Sequence, residues 1–128
     1  MLLKRYVSNK PFLARSKFRS SFRLDENDLV YINKAGLDKI KEHAVDFVEQ
    51  RLAPAFPYRD GKQTPYSGHP VFKAQHAVGC CCRSCLMKWY GISKGRKLMD
   101  DEVKAITEIL MKWIEENFKR STAYSSTI

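Results

Sequence analysis

The sequence predicts a mainly α protein, a small helical domain with a zinc-stabilised Cys/His module set between its second helix and its C-terminal helix. Three observations predict it. Apolar residues recur at helical spacing across residues 37–52 and again across 103–114. Residues suited to helix ends stand at the borders of those stretches. Between them, His69, His76, Cys81, Cys82 and Cys85 lie close together in the chain with spacings that suit one metal ion. A chain of 128 residues has the usual size of one domain. Its 44% hydrophobic and 29% charged residues balance as in a folded protein rather than a disordered one.

Residues 1–24 read as a basic, partly flexible arm. Lys4, Arg5, Lys10, Arg15, Lys17, Arg19 and Arg23 are interleaved with Tyr6, Phe12, Phe18 and Phe22, there is no clean helical stripe, and Pro11 pushes the residues before it toward extended geometry. The single helical domain then spans 25–120. Its first helix starts at Asp25, whose carboxylate can accept a hydrogen bond from a free first-turn amide, and stops at Gly36, which tolerates a left-handed helix end. The second carries Leu37, Ile40, Ala44, Val45, Phe47, Val48 and Leu52 on one broad stripe, so it faces the core.

Ala53 to Gly68 holds Pro54, Pro57, Pro65, Gly61 and Gly68 and reads as a loop. The metal module at 69–90 follows. Pro70 sits where a first helical residue gives up an amide that has no partner anyway, so a short helix starts at His69. A cysteine-bearing turn and a second short helix, about Cys82 to Tyr90, come next, and Gly91 ends them. The last helix runs from about Asp100 to Phe118. Three acids stand at its positive end, Lys119 and Arg120 at its negative end, and Val103, Ile106, Leu110, Trp113 and Ile114 form one face directed at helix two. Residues 121–128 have nothing to bury and read as a disordered tail.

Zinc takes four soft or borderline ligands in a tetrahedron, and Cys82-x2-Cys85 lets two thiolates reach one ion from a turn or a helix start. His76 can fold back across the turn. The fourth place is open to His69, two helical turns before His76, or to Cys81, which falls on the side of Cys85 if the helix starts there. His43 could also reach in. Two duller readings of the cluster are buried, packed cysteines and a redox dithiol. Residues 61–99 contain no Asp or Glu to act as general base beside a hydrolytic zinc, so the metal reads as a staple rather than a reagent.

The net charge of +9 is unevenly spread. Residues 1–24 hold seven Lys/Arg and no acid, and residues 61–99 hold seven more with none. Clustered cations raise the local potential, so the pattern suits a polyanion-docking surface, with Arg15, Lys17, Arg19, Lys62, Lys73, Arg83, Lys88, Lys94, Arg96 and Lys97 as its candidate contacts. The plainer reading is a solvated, soluble surface. No apolar run is long enough to cross a bilayer and Met1 to Arg5 lacks the apolar core of a secretion signal, so no membrane association and a cytoplasmic location are expected. The Arg/Ser-rich first segment also has the composition of an organellar transit peptide.

Several stretches resemble a family. They are Phe18-Arg-Ser-Ser-Phe22, Gly36-Leu-Asp-Lys-Ile40, Arg51-Leu-Ala-Pro54, Asp60-Gly-Lys-Gln-Thr-Pro65, Gly68-His-Pro-Val-Phe72, Ala74-Gln-His76, Cys81-Cys-Arg83, Cys85-Leu86, Lys88-Trp89 and Gly95-Arg96. Together they resemble a bacterial family of short proteins known as domain of unknown function 4186, over about Phe18 to Ile114. The resemblance implies no particular activity. It does imply that Cys80 is the least favoured ligand, because the family pattern has no cysteine there, and that the position of Tyr90, where the family has His, holds no metal in this chain.

Three functions are therefore expected, in order. The first is a non-enzymatic, zinc-stabilised module that binds nucleic acid or another polyanion. The second is an adaptor or inhibitor that docks on an acidic protein surface. The third is a metal-dependent hydrolase that uses His43, Asp60 or Thr64 beside the ion.

Overall fold

In the computed structural model, which describes residues 1–126 and side chains through Ser121, every regular element is helical. The order is α1 (Leu2–Arg15), α2 (Lys17–Ser20), α3 (Glu26–Ala35), α4 (Leu37–Phe47), α5 (Pro70–Val78), α6 (Arg83–Tyr90) and α7 (Asp100–Ser126), with a π-helical turn at Val48–Leu52 that extends α4. Among the described residues no helix is long and apolar enough to cross a membrane.

The helix ends follow local chemistry. Asp25 caps α3 through a reciprocal pair: its carboxylate accepts from the Asp28 amide at 2.9 Å, and the Asp28 carboxylate accepts from the Asp25 amide at 2.9 Å. Gly36 ends α3 at φ +88° and starts α4 in the same step. Pro70 opens α5 as expected for a first helical position, and α6 stops at Gly91.

Helix α7 packs against α4, as the apolar face predicts, and also against α5 and α1. Ile106, Ile109, Leu110 and Ile114 of α7 have no solvent access, so its buried surface is wider than the predicted stripe. Ile40, Ala44, Val48 and Leu52 meet it from α4 and the π turn, and Val71, Ala74 and Val78 from α5. All nine residues of α5 are buried. The predicted metal-module helix is thus a central core helix.

The first segment is not an extended arm. Residues 2–15 form α1 with Pro11 inside it, and Tyr6 and Leu13 are buried against the core. An isolated helix with an internal proline and no acidic first turn is unfavourable, so tertiary burial carries this one. Asn9 Nδ2 donates to the Trp89 carbonyl at 2.7 Å and Lys10 pairs with Glu116 at 3.2 Å, which fastens α1 to α6 and α7. At the other end α7 continues through Ser126, so the expected tail at 121–128 is helical as far as described, and 127–128 lie outside the described residues.

Lys73 is a buried cation on α5 whose ammonium bridges Asp25 and Asp28 at the start of α3. Asp25 is the exposed partner and Asp28 the buried one. Removing one member of a buried pair strands the other charge, at a cost of about 3–5 kcal/mol. Lys73→Ala should therefore lower the urea unfolding midpoint sharply, while K73M/D28N, which removes both charges, should recover much of the loss. An unchanged midpoint for Lys73→Ala would show that the pair contributes nothing.

Candidate metal centre

The thiols of Cys81, Cys82 and Cys85 lie within 4.8 Å of one another, the group of His, Cys, Asp and Glu side chains that could hold a metal ion among the described residues. The local backbone explains the gathering. Helix α5 ends at Gly79 in the left-handed conformation, φ +79°. A side chain there would be strained, and its Cβ would stand 2.7 Å from the Trp89 ring. The chain then turns through Cys80 and Cys81 to Cys82, which stands at the N-cap position of α6 with its thiol turned to Cys85, and Cys85 follows on the first turn of that helix.

Cys85 is the acceptor of the group. The Cys81 thiol donates to it at 3.4 Å, the Cys82 thiol at 3.2 Å and the Arg19 guanidinium at 3.2 Å. Donation from the two neighbouring thiols, with Arg19 after them, holds the Cys85 thiol well below the usual thiol range, while hydrogen bonding with Cys82 and then Cys85, together with burial, pushes Cys81 well up. One thiolate shared among three sulfurs beside a guanidinium is chemically ready for a soft cation. Cys80 is different: it lies in the hydrophobic core, where burial pushes its thiol up to about 12.

His76 lies on the last turn of α5. Its Nε2 meets the Thr64 carbonyl at 3.0 Å, which fixes the proton on that nitrogen, and its Nδ1 is buried with no hydrogen-bond partner among the described residues. The ring stacks on Phe22 and Tyr66, with centroids 5.0 and 4.8 Å away, and Phe18 meets it edge-on. Burial lowers its pKa, against the backbone hydrogen bond at Thr64, and the Arg19 charge acts with burial. Arg19 reaches the same place from α2, donating to the His76 carbonyl at 2.6 Å as well as to Cys85.

His69 is elsewhere. It caps α5, its Nδ1 accepting from the Val71 amide at 3.0 Å, so its proton sits on Nε2, which meets His43 Nδ1 at 3.0 Å. Tyr31 joins at 3.3 Å. Burial, then the neighbouring His43, lowers the His69 pKa to about 4. Seven residues along a helix is a rise of roughly 10 Å, which separates His69 from His76 even though both project from a similar side. Of the residues named for a hydrolytic site, Asp60 accepts from the Arg83 amide and Gln63, Thr64 donates to the Cys81 carbonyl, and His43 faces His69. No carboxylate belongs to the thiol group among the described residues.

The ten cations named for a polyanion divide. Arg15, Lys17, Lys62, Lys88, Lys94 and Lys97 are exposed. Of these, Lys94 donates to the Ser84 hydroxyl at 2.9 Å. The other four have partners inside the fold: Arg19 the cysteines, Lys73 the two aspartates, Arg96 the Glu102 carboxylate in two contacts at 2.8 and 2.7 Å, and Arg83 backbone carbonyls. Sequence reasoning placed Arg19 and Arg83 on a surface because charge counting registers carboxylates and misses thiolates and carbonyl oxygens as acceptors.

In metal-free protein near pH 6, Cys85 should be alkylated by iodoacetamide before the other cysteines, and Arg19→Gln should keep that order, because the two thiol donors that lower Cys85 most remain. Peptide mapping by mass spectrometry checks it; equal labelling of Cys80 and Cys85 would contradict the assignment.

No solved structure matches this chain. A family model described as a domain of unknown function, DUF4186, matches residues 9–115. That match takes in α2 to α6 and the whole thiol group. The chain belongs to the DUF4186 family.

Proposed function

We propose that this protein is a zinc-stabilised, non-enzymatic module that binds nucleic acid, or a comparable polyanion, through a face built from α1, α2 and α6. Zinc is the ion and His76 the fourth ligand. Sulfurs around zinc, with bonds of about 2.3 Å, stand roughly 3.8 Å apart; Cys81 and Cys82 lie 3.4 and 3.2 Å from Cys85, so the sulfurs require only a small outward movement, whereas His76 stands outside the group gathered within 4.8 Å and has to move toward it. The orphaned Nδ1 of His76 supports its part. A zinc-binding histidine usually donates its other ring N–H to a carbonyl or carboxylate, and Nε2 of His76 faces the Thr64 carbonyl. Three thiolates and one neutral imidazole leave the ion with a net charge of −1, which Arg19 offsets.

The observation that carries the docking reading is that the two acid-free stretches of the sequence meet in space. Helix α1 packs on α6. Asn9 bonds the Trp89 carbonyl, and Arg5 covers Gly91 so closely that a Cβ there would stand 2.6 Å from its guanidinium. Neither α1, α2 nor α6 contains an acid. Arg15, Lys17 and Lys88 are exposed on these helices, with the Phe12 ring open beside Arg15. Lysine and arginine set on one face displace counterions from a phosphate backbone, which is the main source of sequence-independent affinity.

Two measurements test this. The purified native protein should hold one zinc per chain by elemental analysis; Cys82→Ser and Cys85→Ser should lose it, His76→Ala should weaken it, and His69→Ala should retain it. Loss in His69→Ala with retention in His76→Ala would reverse the ligand assignment. Second, the anisotropy of a labelled oligonucleotide should show affinity that falls steeply with salt, and R15E/K17E/K88E should weaken binding about tenfold or more with a shallower salt slope. Salt-independent binding, or none at low ionic strength, would remove the docking reading. A single protein partner recovered after nuclease treatment would favour an adaptor with an acidic target.

A further inference from the structure

Phe56 and Tyr58 are 84% and 83% exposed, the most open aromatic rings among the described residues. They lie outside the face just described, in the stretch between the π turn and α5, and nothing in the chain's own core uses them. Isolated exposed rings are ordinary on protein surfaces. These two have specific neighbours. Phe56 stands beside the turn at 93–97, where a Cβ on Gly95 would meet its ring at 4.0 Å, and Lys94 and Lys97 project from that turn. The Arg59 guanidinium lies 5.6 Å from the Tyr58 ring, and Lys62 is exposed three residues on.

The backbone on either side of the rings is held in place. Arg83 has no solvent access, and its guanidinium donates to the carbonyls of Leu52 at 3.4 Å, Pro54 at 2.8 Å and Ser93 at 2.9 Å, which ties the start of the aromatic loop to the basic turn. The Leu98 amide bonds the Ala53 carbonyl at 2.9 Å. At the loop's far side the Asp60 carboxylate accepts from the Arg83 amide at 3.0 Å and from Gln63 at 2.8 Å, so the loop's one acid is already engaged. Arg59 adopts φ +54°, a left-handed conformation that costs a side-chain-bearing residue energy, and the turn is closed by the Lys62 amide on the Arg59 carbonyl at 2.8 Å.

We propose that Phe56 and Tyr58, flanked by Arg59, Lys62, Lys94 and Lys97, are a base-stacking platform for single-stranded nucleic acid. Every base has a face that stacks on an aromatic ring, and the cations take the phosphates between bases. Paired bases offer no such face without being opened, so the platform selects single strands over duplex. The inference rests on the nucleic-acid reading above and adds a site and a strand state to it.

The test uses full-length, zinc-loaded protein and fluorescein-labelled oligonucleotides of roughly ten nucleotides, long enough for one stacking site. Oligo-dT and oligo-rU are compared with a mixed-sequence duplex at one salt concentration. Wild type should bind the single strands at least tenfold more tightly than the duplex, and F56A/Y58A should lose that preference by a similar factor while keeping its melting temperature and zinc content, since neither ring packs inside the fold. K94A/K97A should weaken single-strand binding as well. If wild type binds single strands but F56A/Y58A binds them equally well, or the duplex binds as tightly, the platform is overturned and the docking reading stands. If F56A/Y58A keeps oligonucleotide affinity but loses a purified protein partner, the rings serve a protein surface instead. Failure of wild type to bind any of the oligonucleotides at low salt overturns both.

Discussion

A charged side chain with no access to water, the guanidinium of Arg83, is the interaction on which this part of the fold depends. Burial lowers its pKa and would expel it if it were unpaired. It stays because carbonyls from two separate loops converge on it. A carboxylate partner would have made a buried salt bridge with two charges to desolvate; carbonyl dipoles engage the two terminal nitrogens with only one, while Nε is buried without a partner among the described residues. Arg83 also opens α6, so the same residue sets the position of the helix that carries Cys85 and, through its backbone amide on Asp60, the loop in front of it.

Arg19 performs a matching task on the other side of the thiol group. It joins α2 to the end of α5 and to Cys85 with one planar group, which a lysine's point charge would not do with the same two directed bonds. Both arginines come from stretches without a single acid. The segregation of charge in this sequence therefore has two physical sources. Part of it supplies cations to internal acceptors that carry no acidic residue name, and part of it remains on the surface at Arg15, Lys17, Lys62, Lys88, Lys94 and Lys97. Only the fold separates the two parts.

Much of the helical frame was legible because its signals are local. Asp25, Gly36, Pro70 and Gly91 mark ends through the conformations and hydrogen bonds of single residues, and all four act where the sequence places them. Helix α1 was not legible, because its inward stripe of Leu2, Tyr6, Asn9 and Leu13 contains a polar residue and is interrupted by Pro11. Asn9 makes sense only once the Trp89 carbonyl is beside it. The thiol group was legible in part. Cys82 and Cys85 follow from their spacing, and Cys81 from the start of α6, but a helical wheel reports angle and not height. His69 and His76 share a direction and differ by two turns, and His69 satisfies its own helix's first amides and His43 instead of the thiols.

The start of α6 is where these constraints meet. Cys82 stands just before the helix and Arg83 is its first residue, so the thiol group and the buried guanidinium are adjacent in sequence and fasten different neighbours. On the thiol side, the positive end of the helix dipole and Arg19 both favour negative sulfur. On the Arg83 side, carbonyls favour positive charge. The two fields have opposite sign within a few residues, and each would be unstable without its own partner. A metal ion on the sulfurs would strengthen the first and leave the second untouched. The loops held by Arg83 therefore keep their shape from carbonyl hydrogen bonds, while Arg19 seats α2 against the end of α5 and against the cysteines.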